Sequence, residues 1–322
     1  MIKRFSSLLV LLFLIFISPI TLAKPYNDVY VFGDSLSDTG NVAAYYGVDL
    51  PSPPYFQNRV TNGRVAVEAL AHKFGLKAAP SLYFLGSEHG TNYAAAGASA
   101  IGLGEGDLGG QILAFSTINS EAPSDALYVV FIGGNDVRKA RGKLNPLDKD
   151  DLVEAHALLE QAAGNIGVAV QSLITAGAKN IIVVNSPNVG AIPETTIAAF
   201  LGNLSWLPAV TEGLSIYFNT SLNAAVHQVE LMTGVDVMQF DLFSYFNYLL
   251  TNADTLGITN TTDPCYKTWG DPFLAVLNPV CVDEEFNPTP NSFFFIDEIH
   301  PTKNVHKAIG KAIARQIKSS LK

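Results

Sequence analysis

Four short, predominantly apolar runs constrain this chain most: Val29 to Phe32, Leu127 to Ile132, Ile181 to Val184 and Val235 to Phe240, each followed directly by Gly, Asn or Asp. Runs of this length, closed by turn formers, predict buried strands. Between them lie stretches with helical spacing, Val65 to Phe74, Leu152 to Ala176 and Ile216 to Thr233, and a last one, Val305 to Ile317, follows the final turn. Strands alternating with helices predict an α/β fold with a central parallel sheet covered on both faces. Ligands of such sheets bind outside the carboxyl ends of the strands. Ser35 and Asn135 both stand just after a predicted strand.

The amino terminus reads differently. Lys3 and Arg4 precede ten apolar residues, Leu8 to Ile17, and then Pro19 and Thr21-Leu22-Ala23. Ten residues are too few to span a bilayer, which takes about 20, and the pattern is that of a secretory signal peptide cleaved after Ala23. The expected organisation is a signal peptide over 1–23 and one domain over 24–322, since no linker, repeat or charge block divides the remainder. Cleavage would move the formal net charge from −9 to −11. That balance argues against nucleic acid as a partner, because phosphate backbones need basic patches and none is visible in the sequence. In an exported chain the two cysteines, Cys265 and Cys281, are expected to pair, closing a loop worth about 3 kcal/mol on chain-entropy grounds.

The residues with chemical potential lie at opposite ends. Val31-Phe32-Gly33-Asp34-Ser35-Leu36-Ser37-Asp38 puts a serine at the exit of the first strand, and Asp297-Glu298-Ile299-His300-Pro301 supplies an imidazole and a carboxylate in one turn. A serine hydroxyl is a poor nucleophile until an adjacent base takes its proton. His300 is the candidate base and Asp297 the group that fixes its tautomer, while Pro301 is expected to open the last helix. Asp34 and Asp38 also fit ordinary turn formers. His72, His89, His156, His227 and His306 compete for the base role, but none has an aspartate at this spacing and a proline directly after it. Attack on a carbonyl also needs donors for the oxyanion. Ile132-Gly133-Gly134-Asn135-Asp136 offers a side-chain amide at Asn135, Asn92 to Ala98 offers a backbone N–H at Gly97, where a missing side chain permits close approach, and the Ser35 N–H is the third.

In order and context these four segments resemble the GDSL, or SGNH, family of serine esterases and lipases, with Ser35, Gly97, Asn135 and His300 as the four namesake residues. The likeness extends over nearly all of residues 24–322 and is nearest to secreted bacterial phospholipases and lysophospholipases and to glycerophospholipid:cholesterol acyltransferases. It implies a three-layer, flavodoxin-like α/β/α sandwich, a Ser35-His300-Asp297 triad, and no metal or organic cofactor. Ala96 departs from the glycine that many long members carry there. Ser37 departs from the Gly-x-Ser-x-Gly elbow of other hydrolases.

The resemblance implies a lipid ester as substrate, met at a membrane or micelle surface, and lysophospholipase or phospholipase A activity. Hydrophobic residues make up 48% of the chain, partly through the leader, so composition does not itself show a lipid preference. Thr195 to Val210, with Phe200, Leu201 and Trp206, fits a buried helix or an exposed lipid-facing cover, and Phe293-Phe294-Phe295 fits a core strand or turn. Trp269, Phe273, Leu274, Val276 and Leu277 make the 265–281 loop an expected cover, with Lys267 a site for an activating protease. The alternatives are a deacylase of short-chain or carbohydrate esters and, from a different class, a non-catalytic secreted binding protein.

Overall fold

The computed structural model describes residues 24–86, 89–145, 150–268 and 279–321. Residues 1–23, the expected signal peptide, and the five apolar residues of the expected cover fall outside them, whereas Lys267 is described and exposed. Strands β1 (Val29–Gly33), β2 (Leu127–Phe131), β3 (Asn180–Val184) and β4 (Met238–Phe240) form a parallel sheet in that order. Every residue of β1 and β2 is buried, as expected of strands covered on both faces.

The sheet continues past β1 in an irregular form. Val31 N–H donates to the Thr91 carbonyl at 3.0 Å, Tyr93 N–H to the Val31 carbonyl at 2.7 Å and Ala95 N–H to the Gly33 carbonyl at 3.1 Å, so residues 91–95 run parallel beside β1. With this fifth segment the order becomes flavodoxin-like, and the chain reverses its direction of winding at β1. The crevice at such a reversal is where ligands bind in these folds. It lies at the end of β1, directly before Ser35.

Helices α3 (Leu108–Ile118), α5 (Asp150–Ala176) and α7 (Leu207–Thr233) pack as one layer, and α2 (Ala66–His72), α8 (Leu242–Thr251) and α9 (Lys303–Ser320) as the other. Short α1 (Asn41–Tyr46) and α4 (Gly134–Arg141) follow β1 and β2, and α6 (Pro193–Gly202) leads into α7. One contiguous core runs from Tyr26 to Ile317. The three-layer sandwich and its parallel sheet are as expected.

The 195–210 segment is helical, partly buried and partly exposed. It forms α6 and the start of α7, burying Thr195, Ala199 and Leu207 while leaving Phe200 84% and Leu201 74% exposed. Phe293–Phe295 is a strand, β6, paired in parallel with β5 (Asn260–Pro264). Cys265 and Cys281 are bonded, with their Cα atoms 4.8 Å apart. They sit in a second buried cluster with Leu50, Tyr55, Val60, Tyr266 and Ile296.

Candidate active site

Where β1 ends, the chain turns on its own carboxylates. Asp34 Oδ1 accepts the Leu36 N–H at 2.9 Å, and the Asp34 carbonyl accepts the N–H groups of Ser37 and Asp38. Asp38 Oδ1 takes the N–H groups of Gly40 and Asn41 at 2.7 Å, and its Oδ2 reaches the Ala96 N–H at 2.9 Å. Both aspartates are therefore turn formers, and Asp38 also ties the Ser35 turn to the segment carrying Gly97. Burial pushes the Asp34 carboxyl up to about 7, against the opposing pull of the Leu36 N–H and His300.

The second turn follows β6. Ile296 N–H donates to the His300 carbonyl at 2.8 Å, and Phe295 bridges Pro301, so residues 297–300 are clamped at their base. Pro301 does not open α9 as expected. Its carbonyl accepts the Thr61 hydroxyl at 2.9 Å, Thr302 is held by Phe294, and the helix starts only at Lys303.

These turns bring the three predicted residues into line. The Ser35 hydroxyl lies 2.8 Å from His300 Nε2, and His300 Nδ1 is 2.8 Å from both oxygens of Asp297. A carboxylate facing Nδ1 puts the ring proton there and leaves Nε2 free to accept from Ser35. Burial raises the Asp297 pKa, but the His300 ring and the N–H groups of Ile299 and His300 outweigh it and hold the carboxyl below its ordinary range. A further donor to Asp297 is Tyr55, whose hydroxyl lies 2.7 Å from Oδ2. Burial and then Asp297 itself drive that phenol well above its ordinary pKa, so it stays a donor. At a sequence separation of 242, no sequence signal joins Tyr55 to Asp297.

Asn135 sits in the first turn of α4, brought there by Gly133 at φ 131°, where a Cβ would also strike the Phe218 ring at 2.4 Å. Its Nδ2 donates to the Ala98 carbonyl at 2.8 Å and its Oδ1 accepts from Arg138 at 2.9 Å. Among the described residues, one N–H of the amide is left unspent. Gly97 has φ 84°, and nothing lies within 4 Å of where its Cβ would be. The positive φ favours glycine here, and the space beside it is open among the described residues. Gly97 lines a groove with Tyr45, Tyr46 and Phe84, whereas Ser35, Asn135 and His300 share another cavity. The bonds from Ala96 to Asp38 and from Asn135 to Ala98 hold it between the two.

That shared cavity is small, about 40 Å³. Pro187, Val189, Ile192, Leu242, Phe246 and Ile309 make its walls apolar, and Asp34 and Arg138 join the three reactive-site residues as its polar lining. Apolar walls with a few convergent polar groups are the lining chemistry of a small-molecule or acyl pocket. Three of the five rival histidines have other contacts: His156 stacks on Tyr217, His227 faces Glu230, and His306 accepts the Ala66 N–H. Burial, with His300 nearby, drives His306 down to about 3.

One surface corrects the charge reading. Arg64, Lys73, Lys303, Lys307 and Lys311 line a groove between α2 and α9, and Glu68, the acidic residue of that lining, is already paired with Arg59 at 2.8 Å. The four-residue spacing of Lys303, Lys307 and Lys311 puts them on one helix face, a local pattern that the negative net charge conceals.

The family model for GDSL-like lipases and acylhydrolases matches residues 29–313. Acetylajmalan esterase 2 of Rauvolfia serpentina is 27% identical, over 92% of this chain and 92% of that protein. Lipase 1 of Photorhabdus luminescens is 29% identical over 74% of this chain but only 36% of its own length. The phosphatidylcholine-sterol acyltransferase of Aeromonas hydrophila is 25% identical over 91% of both. With a match that takes in both strand ends, the Asn135 turn and the His300 loop, the chain belongs to the GDSL-like lipase/acylhydrolase family of ester hydrolases.

Proposed function

We propose that this protein is an exported serine hydrolase of lipid esters, of lysophospholipase or phospholipase A type, acting through a Ser35 acyl-enzyme. The observation that carries the reading is the hydrogen-bonded line Ser35–His300–Asp297 opening onto an apolar cavity. Ser35 Oγ attacks the ester carbonyl as its proton passes to His300 Nε2. Asp297 keeps the second ring proton on Nδ1 and stabilises the imidazolium. The Ser35 N–H, the Gly97 N–H and the unspent Asn135 N–H receive the oxyanion. His300 then protonates the leaving alcohol, and water, deprotonated by His300, releases the acid.

The apolar walls favour an acyl chain over a polar group, and relatives named as a lipase and a sterol acyltransferase point the same way. A relative named an acetylajmalan esterase favours a second reading, deacylation of short esters. Export rests on the 1–23 leader pattern, and opening of the 265–281 loop by a protease rests on its sequence and the exposure of Lys267.

Fatty-acid release from lysophosphatidylcholine, diacyl phosphatidylcholine and a short acetyl ester, wild type beside Ser35→Ala, tests the reading. Release from the lipids that disappears in the variant is the expected result. Activity confined to the acetyl ester would transfer the assignment to the second reading, and release that persists in Ser35→Ala would reject the site.

A further inference from the structure

The oxyanion reading leaves a charged group in the cavity without a role. Arg138 lines the same apolar space as Ser35 and His300, and each of its three guanidinium nitrogens makes a hydrogen bond. One nitrogen donates to Asn135 Oδ1 at 2.9 Å, Nε donates to Glu194 Oε2 at 2.8 Å, and the remaining nitrogen pairs with Glu194 Oε1. Glu194 is held in turn by Arg141 at 2.7 Å, and its backbone N–H donates to the Glu298 carbonyl at 2.7 Å, within the Asp297–His300 turn.

The geometry points to Arg138 as the positioning residue of the Asn135 oxyanion donor, with Glu194 as the clamp that registers it against the His300 turn. This rests on the ester-hydrolase reading above and names a residue that reading does not need. An asparagine amide has two nearly isosteric ends. A guanidinium facing Oδ1 and the Ala98 carbonyl facing Nδ2 admit one orientation only, the one that leaves an N–H for the oxyanion. Donation from a charged group is stronger than from a neutral one, and in a chain of hydrogen bonds it makes the far N–H a better donor. The bond from Glu194 to Glu298 then links the donor side of the site to the base side.

The carboxylate that Arg138 leaves behind keeps Arg141 as its partner. Replacing Arg138 therefore does not strand a lone buried charge, the change that most often unfolds a variant.

The experiment is steady-state hydrolysis of a soluble p-nitrophenyl ester by wild type, Ser35→Ala, Arg138→Met, Arg138→Lys, Asn135→Ala and the Arg138→Met/Asn135→Ala double variant, with thermal melts of each. Loss of one oxyanion donor costs about 10²- to 10³-fold in turnover, so misorienting it should cost about tenfold in kcat with KM little changed. Arg138→Lys should recover part of that loss. The double variant should be no slower than Asn135→Ala, because Arg138 acts through Asn135. A full tenfold loss in the Asn135→Ala background, or wild-type kcat in Arg138→Met, would overturn the assignment. If Arg138→Met does not fold, Glu194→Gln, which retains the backbone bond to Glu298, takes its place: wild-type kcat in that variant, or its full loss repeated in the Asn135→Ala background, would overturn the assignment equally. Undiminished activity of Ser35→Ala would identify a failure of the hydrolase reading itself, and this inference would fall with it.

Discussion

The two turns that meet at the Ser35–His300 contact are equally buried but are held by different parts of the molecule. The Ser35 turn is an outgrowth of the main sheet. It leaves β1 from within the five-segment order, and Gln111 of α3 grips its base by accepting the Gly33 N–H at 2.8 Å and donating to the Gly33 carbonyl at 2.7 Å. Asp34 and Asp38 then shape it from within. The His300 turn hangs from β6, a strand of a small separate sheet, and packs against the satellite cluster that contains Tyr55, Ile296 and the Cys265–Cys281 bond. Ser35 thus takes its position from the main sheet, whereas His300 takes its position from a local platform closed by a disulfide and a tyrosine. A change in that platform should move one half of the reactive pair and spare the other.

The largest effect is expected where the base side touches the chemistry. Asp297→Asn, assayed as kcat on a soluble ester, should lose about 10⁴-fold, since an amide facing Nδ1 no longer enforces the required tautomer. A loss below tenfold would show that the platform's charged contact with His300 is dispensable. On the opposite side, Asn135→Ala should cost about 10²- to 10³-fold, and activity within a factor of a few of wild type would remove Asn135 from the oxyanion site.

Breaking the platform itself sharpens the comparison. Replacing both Cys265 and Cys281 by serine should lower the unfolding free energy by about 3 kcal/mol, measured by denaturant titration. Amide hydrogen exchange should then rise across 295–301 and stay unchanged across 33–38. Equal acceleration in both turns would erase the distinction drawn between them. Tyr55→Phe keeps the packing and removes one donor to Asp297, so a several-fold drop in kcat is expected, with the melting temperature shifted only slightly. A hydrogen bond to a charged group contributes about 1.5 to 3 kcal/mol, of which the three other donors to Asp297 can offset part.

The Ser35 side is open to a different kind of test, the dependence of stability on pH. The folded Asp34 carboxyl is raised from 3.8 to about 7. Between those values the folded chain retains a proton that the unfolded chain has released, so this group makes stability fall as pH rises through the window. Asp34→Asn has no such proton, and its unfolding free energy should decline less than that of wild type between about pH 4 and pH 7. Parallel declines would mean that Asp34 titrates normally.

Much of this arrangement is legible in the sequence because it depends on local patterns. Strands β1 to β4 and β6 are visible as apolar runs, and Ser35, Asn135 and His300 each lie within a few residues of the end of one, whereas β5, Asn260–Pro264, carries no such run. What escapes has identifiable causes. Helix α3 begins Leu108-Gly109-Gly110-Gln111, where two glycines and an inward-facing polar side chain disguise its periodicity. Gln111 is buried because it serves Gly33, a contact across 78 residues. Residues 91–95 do not read as a strand because Asn92 spends its side chain on Ser37, Thr39 and Ala94, bending the segment away from regular pairing. Gly133-Gly134-Asn135 reads as a turn, yet it opens α4. Once a helix is recognised there, the three-residue step from Asn135 to Arg138 becomes a helix-face neighbour that the sequence does contain. Tyr55 has no comparable local signal, and only the folded chain brings it to Asp297.

Everything proposed for this site depends on Ser35 being a nucleophile activated by His300. The most direct measurement treats wild type, Ser35→Ala and His300→Ala with a fluorophosphonate and locates the adduct by peptide mass spectrometry. A single adduct on the peptide carrying Ser35 in wild type, absent in Ser35→Ala and formed far more slowly in His300→Ala, is the predicted result. No adduct in the folded wild type, or an adduct on Ser35 formed as fast without His300, would contradict it.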